Sequence, residues 1–230
     1  MITTGFPRSD ATRKTEIVDV GNGVSCSDMA DFPVKLSGAV SANLDGTPVV
    51  CGGFGYLGSW VYSDRCYRFK DYVWEEFATM NRKRTATAGV MHNGKLHVFG
   101  GYTGHYSLKT TETINVDGEV RDMPDLPIWD GVKQHAMTKI SDTVSLLSGG
   151  WTSDVGYSAK TWFYNHDTEA FTSGPDLMES RLDHGSAMNV DKVTKAKIAV
   201  VTGGGCCNGN VMDSTEMLIN GQWQAGTIQC

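Results

Sequence analysis

The sequence has no long apolar run: nothing in its 230 residues approaches the roughly 18 apolar positions that a membrane-spanning helix needs, so no membrane insertion is expected. It also lacks any useful stretch of 3.6-residue hydrophobic periodicity, which excludes the helical classes and leaves an all-β chain. Positive charge is in short supply. Twenty Lys and Arg against 26 Asp and Glu give a net charge of −6, which runs against a nucleic-acid partner. The densest basic cluster, Arg82-Lys83-Arg84, is three residues long and reads as a solvated loop. The first residues, Met1-Ile-Thr-Thr-Gly-Phe-Pro7, lack the basic start and apolar centre of a secretory signal, and no Asn-x-Ser/Thr sequon is present. Six cysteines are too few for a disulfide-built scaffold, and none forms the paired CxxC of a zinc site. The six histidines are scattered, with no i, i+4 pair for a helix to carry. Neither a catalytic residue set nor a cofactor or metal is indicated.

What the sequence has in abundance is glycine, 27 residues of it, placed regularly. Four double glycines, Gly52-Gly53, Gly100-Gly101, Gly149-Gly150 and Gly203-Gly204, have first members 48, 49 and 54 residues apart. A degenerate fifth, Gly5-Phe6, precedes them by 47. Each pair follows a short apolar or β-branched run: Thr47–Cys51, Leu96–Phe99, Val144–Ser148 and Ile198–Thr202. These are strands ended by glycine. Upstream of each run lies a segment of small residues: Ser37–Ala42, Thr85–Val90, His135–Ile140 and Gly185–Val190. Downstream, after a loop of about ten residues, come Glu16–Asp19, Cys66–Arg68, Glu112–Asn115, Phe163–Asn165 and Glu216–Asn220. A turn and a large apolar residue follow each: Val24, Trp74, Val120, Phe171 and Trp223. Each unit thus predicts four short strands.

A period near 50 with a small-residue strand, a strand ending in Gly-Gly, a Tyr/Asp-type strand and then Trp with a Met/Arg-bearing link resembles the kelch repeat. The second unit matches best, with Gly52-Gly53, Tyr67, Trp74 and Met80 to Arg84. The resemblance covers essentially the whole chain and implies a kelch-type β-propeller of four-stranded blades around a central channel. Residues 1–230 form one domain with units at roughly 1–34, 35–82, 83–132, 133–182 and 183–230. That gives five blades, the first without its inner strand. The expectation is a fragment of a six- or seven-bladed ring, the competing reading a genuine five-bladed ring.

In this arrangement Cys51 and Cys66 sit on neighbouring antiparallel strands, where their sulfurs can meet; the alternative is a pair of small buried apolar side chains. A bridge closing their loop contributes about 3 kcal/mol in the chain-entropy model and implies an oxidising compartment. The location is otherwise unassigned, with an extracellular one favoured over the cytoplasm. The positions of Cys26, Cys206, Cys207 and Cys230 in the sequence give no obvious pairing.

Loops held by a rigid scaffold are where recognition concentrates. The loops after the glycines are rich in aromatics. Of these, Phe54, Tyr102 and Trp151 are expected to pack between blades, and Tyr56, Trp60, Tyr106 and Tyr157 to be exposed for binding. Arg84 and Arg181 match an arginine that kelch repeats place near the channel mouth, where it either contacts a ligand or bonds to loop carbonyls. Gly203 to Asn210 is glycine-rich but opens no helix, so it is not a phosphate loop. The resulting expectation is a non-catalytic scaffold that binds a protein partner through one face. The alternatives are a secreted or surface propeller recognising carbohydrate, and a copper enzyme of the galactose-oxidase kind, although nothing spaces Tyr, His and Cys as that site requires.

Overall fold

In the computed structural model, which describes residues 2–3, 13–19, 24–26, 30–56, 59–190, 195–206 and 210–226, every apolar run before a double glycine is a strand. No helix occurs among the described residues. The first sheet has three strands, Ile2–Thr3, Thr15–Asp19 and Val24–Cys26. Four antiparallel four-stranded sheets follow. The second holds Val40–Leu44, Thr47–Cys51, Arg65–Lys70 and Val73–Thr79. The third holds Ala88–His92, Lys95–Phe99, Thr111–Asn115 and Val120–Met123. The fourth holds Ala136–Lys139, Val144–Ser148, Thr161–Asn165 and Ala170–Ser173. The fifth holds Gly185–Val190, Lys197–Thr202, Thr215–Ile219 and Gln222–Ala225. Asp45-Gly46, Asn93-Gly94 and Asn220-Gly221, all at positive φ, make tight hairpin turns whose twist suits antiparallel strands.

The leading strands Val40–Leu44, Ala88–His92, Ala136–Lys139 and Gly185–Val190 lie next to one another in chain order, and apolar clusters fill the seams between sheets. The architecture is all-β and propeller-like. Where the sequence predicts a ten-residue loop after Gly52-Gly53, the chain instead forms an accessory sheet. Its strands are Lys35–Ser37, Phe54–Tyr56 and Trp60–Tyr62. The alternation of aromatic and β-branched residues there is strand-forming in itself. A smaller hairpin, Trp151–Thr152 with Gly156–Tyr157, stands in the fourth unit.

The double glycines are required by what passes beside them. Gly52 and Gly53 have φ of 71° and 98°, and a Cβ on Gly52 would lie 2.5 Å from the Arg84 carbonyl oxygen. Gly53 N–H donates to that same carbonyl at 2.7 Å. The link leaving one unit is thereby bonded to the sheet behind it. The same contact recurs from Gly101 to Val132 and from Gly150 to Arg181, each at 2.8 Å. Two residues further on, each link has a left-handed residue: Gly38, Ala86, Gln134 and Asp183, with φ of 65°, 51°, 58° and 51°. Ala86 N–H donates to the Gly38 carbonyl, Gln134 N–H to that of Ala86, and Asp183 N–H to that of Gln134, at 2.8, 2.8 and 2.9 Å. A belt of backbone hydrogen bonds therefore runs from link to link across the leading strands.

Arg84 and Arg181, expected as ligand contacts or carbonyl donors, take the second part. Both are fully buried. The Arg84 guanidinium donates to the Gly100 and Thr110 carbonyls at 2.6 and 3.1 Å and pairs with the fully buried Glu112, whose other oxygen accepts from Asn81 N–H at 2.7 Å. Arg181 donates to the carbonyls of Gly203 and Ser214 at 2.9 and 3.3 Å and pairs with Glu216 at 2.7 Å. Each backbone bonds to the sheet behind and each side chain to the sheet ahead, so the two arginines rivet the second–third and fourth–fifth seams. At the positions equivalent to Arg84 and Glu112, the second sheet has Leu36 and Tyr67, and the fourth has Val132 and Trp162. Each of these pairs lies within a single apolar cluster. Ionic and apolar seams alternate.

Cys51 and Cys66 are directly opposite across the second and third strands of their sheet, with Cα atoms 4.1 Å apart, and form a disulfide that is fully buried. Its loss by a Cys51→Ala/Cys66→Ala double substitution is expected to lower unfolding free energy by about 3 kcal/mol, measured by urea titration. Glu112→Ala, which strands a buried guanidinium, is expected to cost about 3–5 kcal/mol. The double change Arg84→Val/Glu112→Trp copies the fourth sheet and should recover most of that loss, read by the same titration.

Candidate functional site

The loops that follow the double glycines and the links between sheets share one end of the molecule. From the second unit to the fourth, their aromatic rings make a continuous chain. Tyr56 meets Trp60 at 5.6 Å between centroids, Trp60 stacks on Phe54 at 5.2 Å, and Phe54 meets Tyr62 at 4.8 Å. Tyr62 meets Tyr102 of the next unit edge-on at 5.9 Å. The chain then continues through a cation: Lys133 Nζ sits 4.1 Å from the Tyr102 ring centre and 4.4 Å from that of Trp151. Partial burial between the two rings lowers the Lys133 pKa. An ammonium held over two aromatic faces is attracted by both quadrupoles. Phe54, Tyr102 and Trp151 are half-buried in this string and thus connect neighbouring units.

The residues expected to be free for binding divide. Tyr56, Trp60 and Tyr106 are 49%, 56% and 61% exposed. Tyr157 is only half-exposed, because it pairs with Trp151 in the small hairpin. A further residue outdoes them all: Trp129, in the link after the third sheet, is 82% exposed. Three grooves lie between these projections. One of about 530 Å³ runs between Tyr62 and Tyr106 over Arg82 and Lys83. One of about 510 Å³ runs between Tyr106 and Trp129 over Arg82 and Lys109. One of about 290 Å³ lies beyond Trp129, along Ile128, Val155 and Trp162. The basic triplet is therefore split: Arg82 and Lys83 face solvent in groove walls, and Arg84 is sealed in the core. Sequence reasoning passed over Trp129 because it belongs to a link, where the repeat has no aromatic. Its signal is the local string Trp129-Asp130-Gly131, a bulky residue set just before a turn.

A second group of side chains gathers at the other end of the leading strands. His92 and His97, from the third sheet, meet His166, which follows the third strand of the fourth. His92 and His166 are stacked 4.2 Å apart, and His97 stands edge-on to both, at 5.7 and 4.7 Å. All three are buried. His166 Nε2 bonds to the Ser145 hydroxyl at 2.8 Å, and His92 Nδ1 to the Asp142 carbonyl at 3.0 Å. The Nδ1 atoms of His97 and His166 are buried without a hydrogen-bond partner. Burial first, then the neighbouring imidazoles, pushes the His97 pKa down to about 3 and that of His166 to about 4. His135 and His184, nearer the loops, are likewise lowered by burial to about 3 and about 4. Among the described residues no group of His, Cys, Asp and Glu is arranged to hold a metal ion.

No family model matches the sequence, and no curated protein is similar to it. Among solved structures the chain is similar to the one described as the structure of YjhT, with a TM-score of 0.74 over 94% of this chain and 77% of that one, at 10% identity. The likeness is one of fold. It supports the propeller-like architecture and carries no activity across.

The Tyr102–Lys133–Trp151 bridge joins the loops of the third and fourth units, so Lys133→Met, which keeps the apolar stem and removes the charge, is expected to lower stability by about 0.5–2 kcal/mol. Thermal unfolding at low and high salt measures it.

Proposed function

We propose that the chain is a kelch-type β-propeller, five units of it with the first incomplete, that binds a protein partner through its loop face and performs no catalysis. The observation that carries this reading is the row of exposed rings, Tyr56, Trp60, Tyr106 and Trp129, rising between grooves on loops with rigidly bonded ends. Large aromatic side chains lose little entropy on binding and remove much apolar area from water, which is why they dominate interface hot spots. The kelch assignment is supported by the recurrence of one contact, double-glycine N–H to link carbonyl, at three successive seams. The exposed rings suit the faces of sugar rings as well, and carbohydrate is the second reading.

Trp60→Ala/Tyr106→Ala/Trp129→Ala removes three exposed rings, of which Trp60 also stacks on Phe54, so its melting temperature should fall only slightly and the protein stay folded. Cross-linked capture from the native source, compared between the two, is expected to show at least about a tenfold loss of a specific partner protein, the loss of two or more hot spots being worth that much. Retained capture by the triple variant overturns the assignment of the site. Wild-type binding confined to a glycan array, with no protein captured, replaces the partner class with carbohydrate.

A further inference from the structure

We infer that His92, His97 and His166 form an acid-sensitive clasp between the third and fourth sheets, closed when His97 and His166 are neutral and opened when they charge. The seam they occupy differs from the two beside it. The second–third and fourth–fifth seams are riveted by buried guanidinium–carboxylate pairs. The third–fourth seam has Val132 and Trp162 at those positions, and no charge ties it together there. At its far end the seam is closed by imidazole rings in mutual contact and, on its solvent-exposed side, by the Arg121–Glu169 ion pair at 2.9 Å.

Neutral rings suit this packing. His92 and His166 lie parallel at 4.2 Å and 11°, a stacking that imidazole tolerates and a pair of imidazolium ions would not. Their surroundings offer a second charge little relief. Lys95 from the third sheet and Lys139 from the fourth both act against protonation, and only Asp167 acts for it. Asp142 meets His92 through its backbone carbonyl. Tyr164 packs against His97 and His166 as a phenol whose pKa is raised to about 12 by burial, so it stays neutral. Ser145 and Thr113, on the strands flanking the cluster, carry no charge.

The direction of the effect follows from proton linkage. Unfolded histidines take up protons near pH 6.5, whereas His97 and His166 resist until about 3 and 4. Between those limits the opened state binds more protons than the closed one. The clasp is therefore fully effective above pH 7 and weakens as the pH falls below 6.5. His135 and His184 share the depressed titration but lie nearer the loops, where the backbone belt also ties the links, so any opening they cause has a different location.

Hydrogen exchange followed by mass spectrometry on the wild-type protein at pH 7.5 and 4.5, corrected for intrinsic rates, separates the alternatives. Peptides covering 88–99 and 161–167 are expected to exchange at least about tenfold faster at pH 4.5, while peptides covering 47–51 and 65–70 in the disulfide-linked sheet change little. Uniform acceleration, or acceleration confined to 132–137 and 181–186, overturns the clasp. His97→Phe keeps a ring and removes a titrating group, and it should reduce the local acceleration at least about threefold. An unchanged acid response in a folded His97→Phe protein also overturns it. If that variant does not fold, His166→Gln, which keeps an acceptor or donor for Ser145, is read the same way.

Discussion

A twisted four-stranded sheet cannot bury both of its faces alone, so each sheet in this chain depends on how it is fastened to the next. The fastening is the link between units. Its backbone approaches the double glycine of the sheet behind so closely that no side chain fits, and its side chain reaches into the sheet ahead. Because one short segment makes both contacts, the distance between sheets and the position of the loops above them are fixed together. The left-handed residues two places later add the belt of hydrogen bonds that holds successive links in step. Positive φ costs a non-glycine residue something, and Ala86, Gln134 and Asp183 all accept it where the backbone bond to the neighbouring link is gained.

The loop face is a product of the same constraint. Its aromatic string passes from unit to unit only because neighbouring loops are held at a constant spacing, and it crosses the gap between Tyr102 and Trp151 with a lysine in place of a ring. The rings at the string's edge, with Tyr106 and Trp129 alongside, remain in water. That combination of a fixed base and unsatisfied apolar tips is what a recognition surface requires. The histidines His97 and His166 lie buried at the other end of the leading strands.

Much of the fold was legible in the sequence because the repeat writes its strands several times over. The runs before Gly52-Gly53, Gly100-Gly101, Gly149-Gly150 and Gly203-Gly204 could be read against one another, and each became a second strand. The disulfide was legible for the same reason: once Cys51 and Cys66 were placed on adjacent strands, their meeting was a matter of register. The histidine cluster was not. His92 and His166 are 74 positions apart and touch only because two sheets pack face to face, a relation that no local pattern encodes. The accessory hairpin was missed for the opposite reason. Its alternating aromatics were read as loop decoration, because the repeat has no strand there. Arg84 could be placed at a seam but not inside it, since its carboxylate partner is 28 residues away and its burial depends on that partner.

The two kinds of joint have a consequence for how such a chain could be rearranged. Arg84 and Glu112 belong to the same link and following sheet, as do Arg181 and Glu216, and each link meets the sheet behind through backbone atoms whichever residue it carries. A unit cut just before its link therefore carries its charge and its countercharge together. Deleting or transposing such a unit would separate no arginine from its glutamate, and any redesign by duplication can proceed one unit at a time.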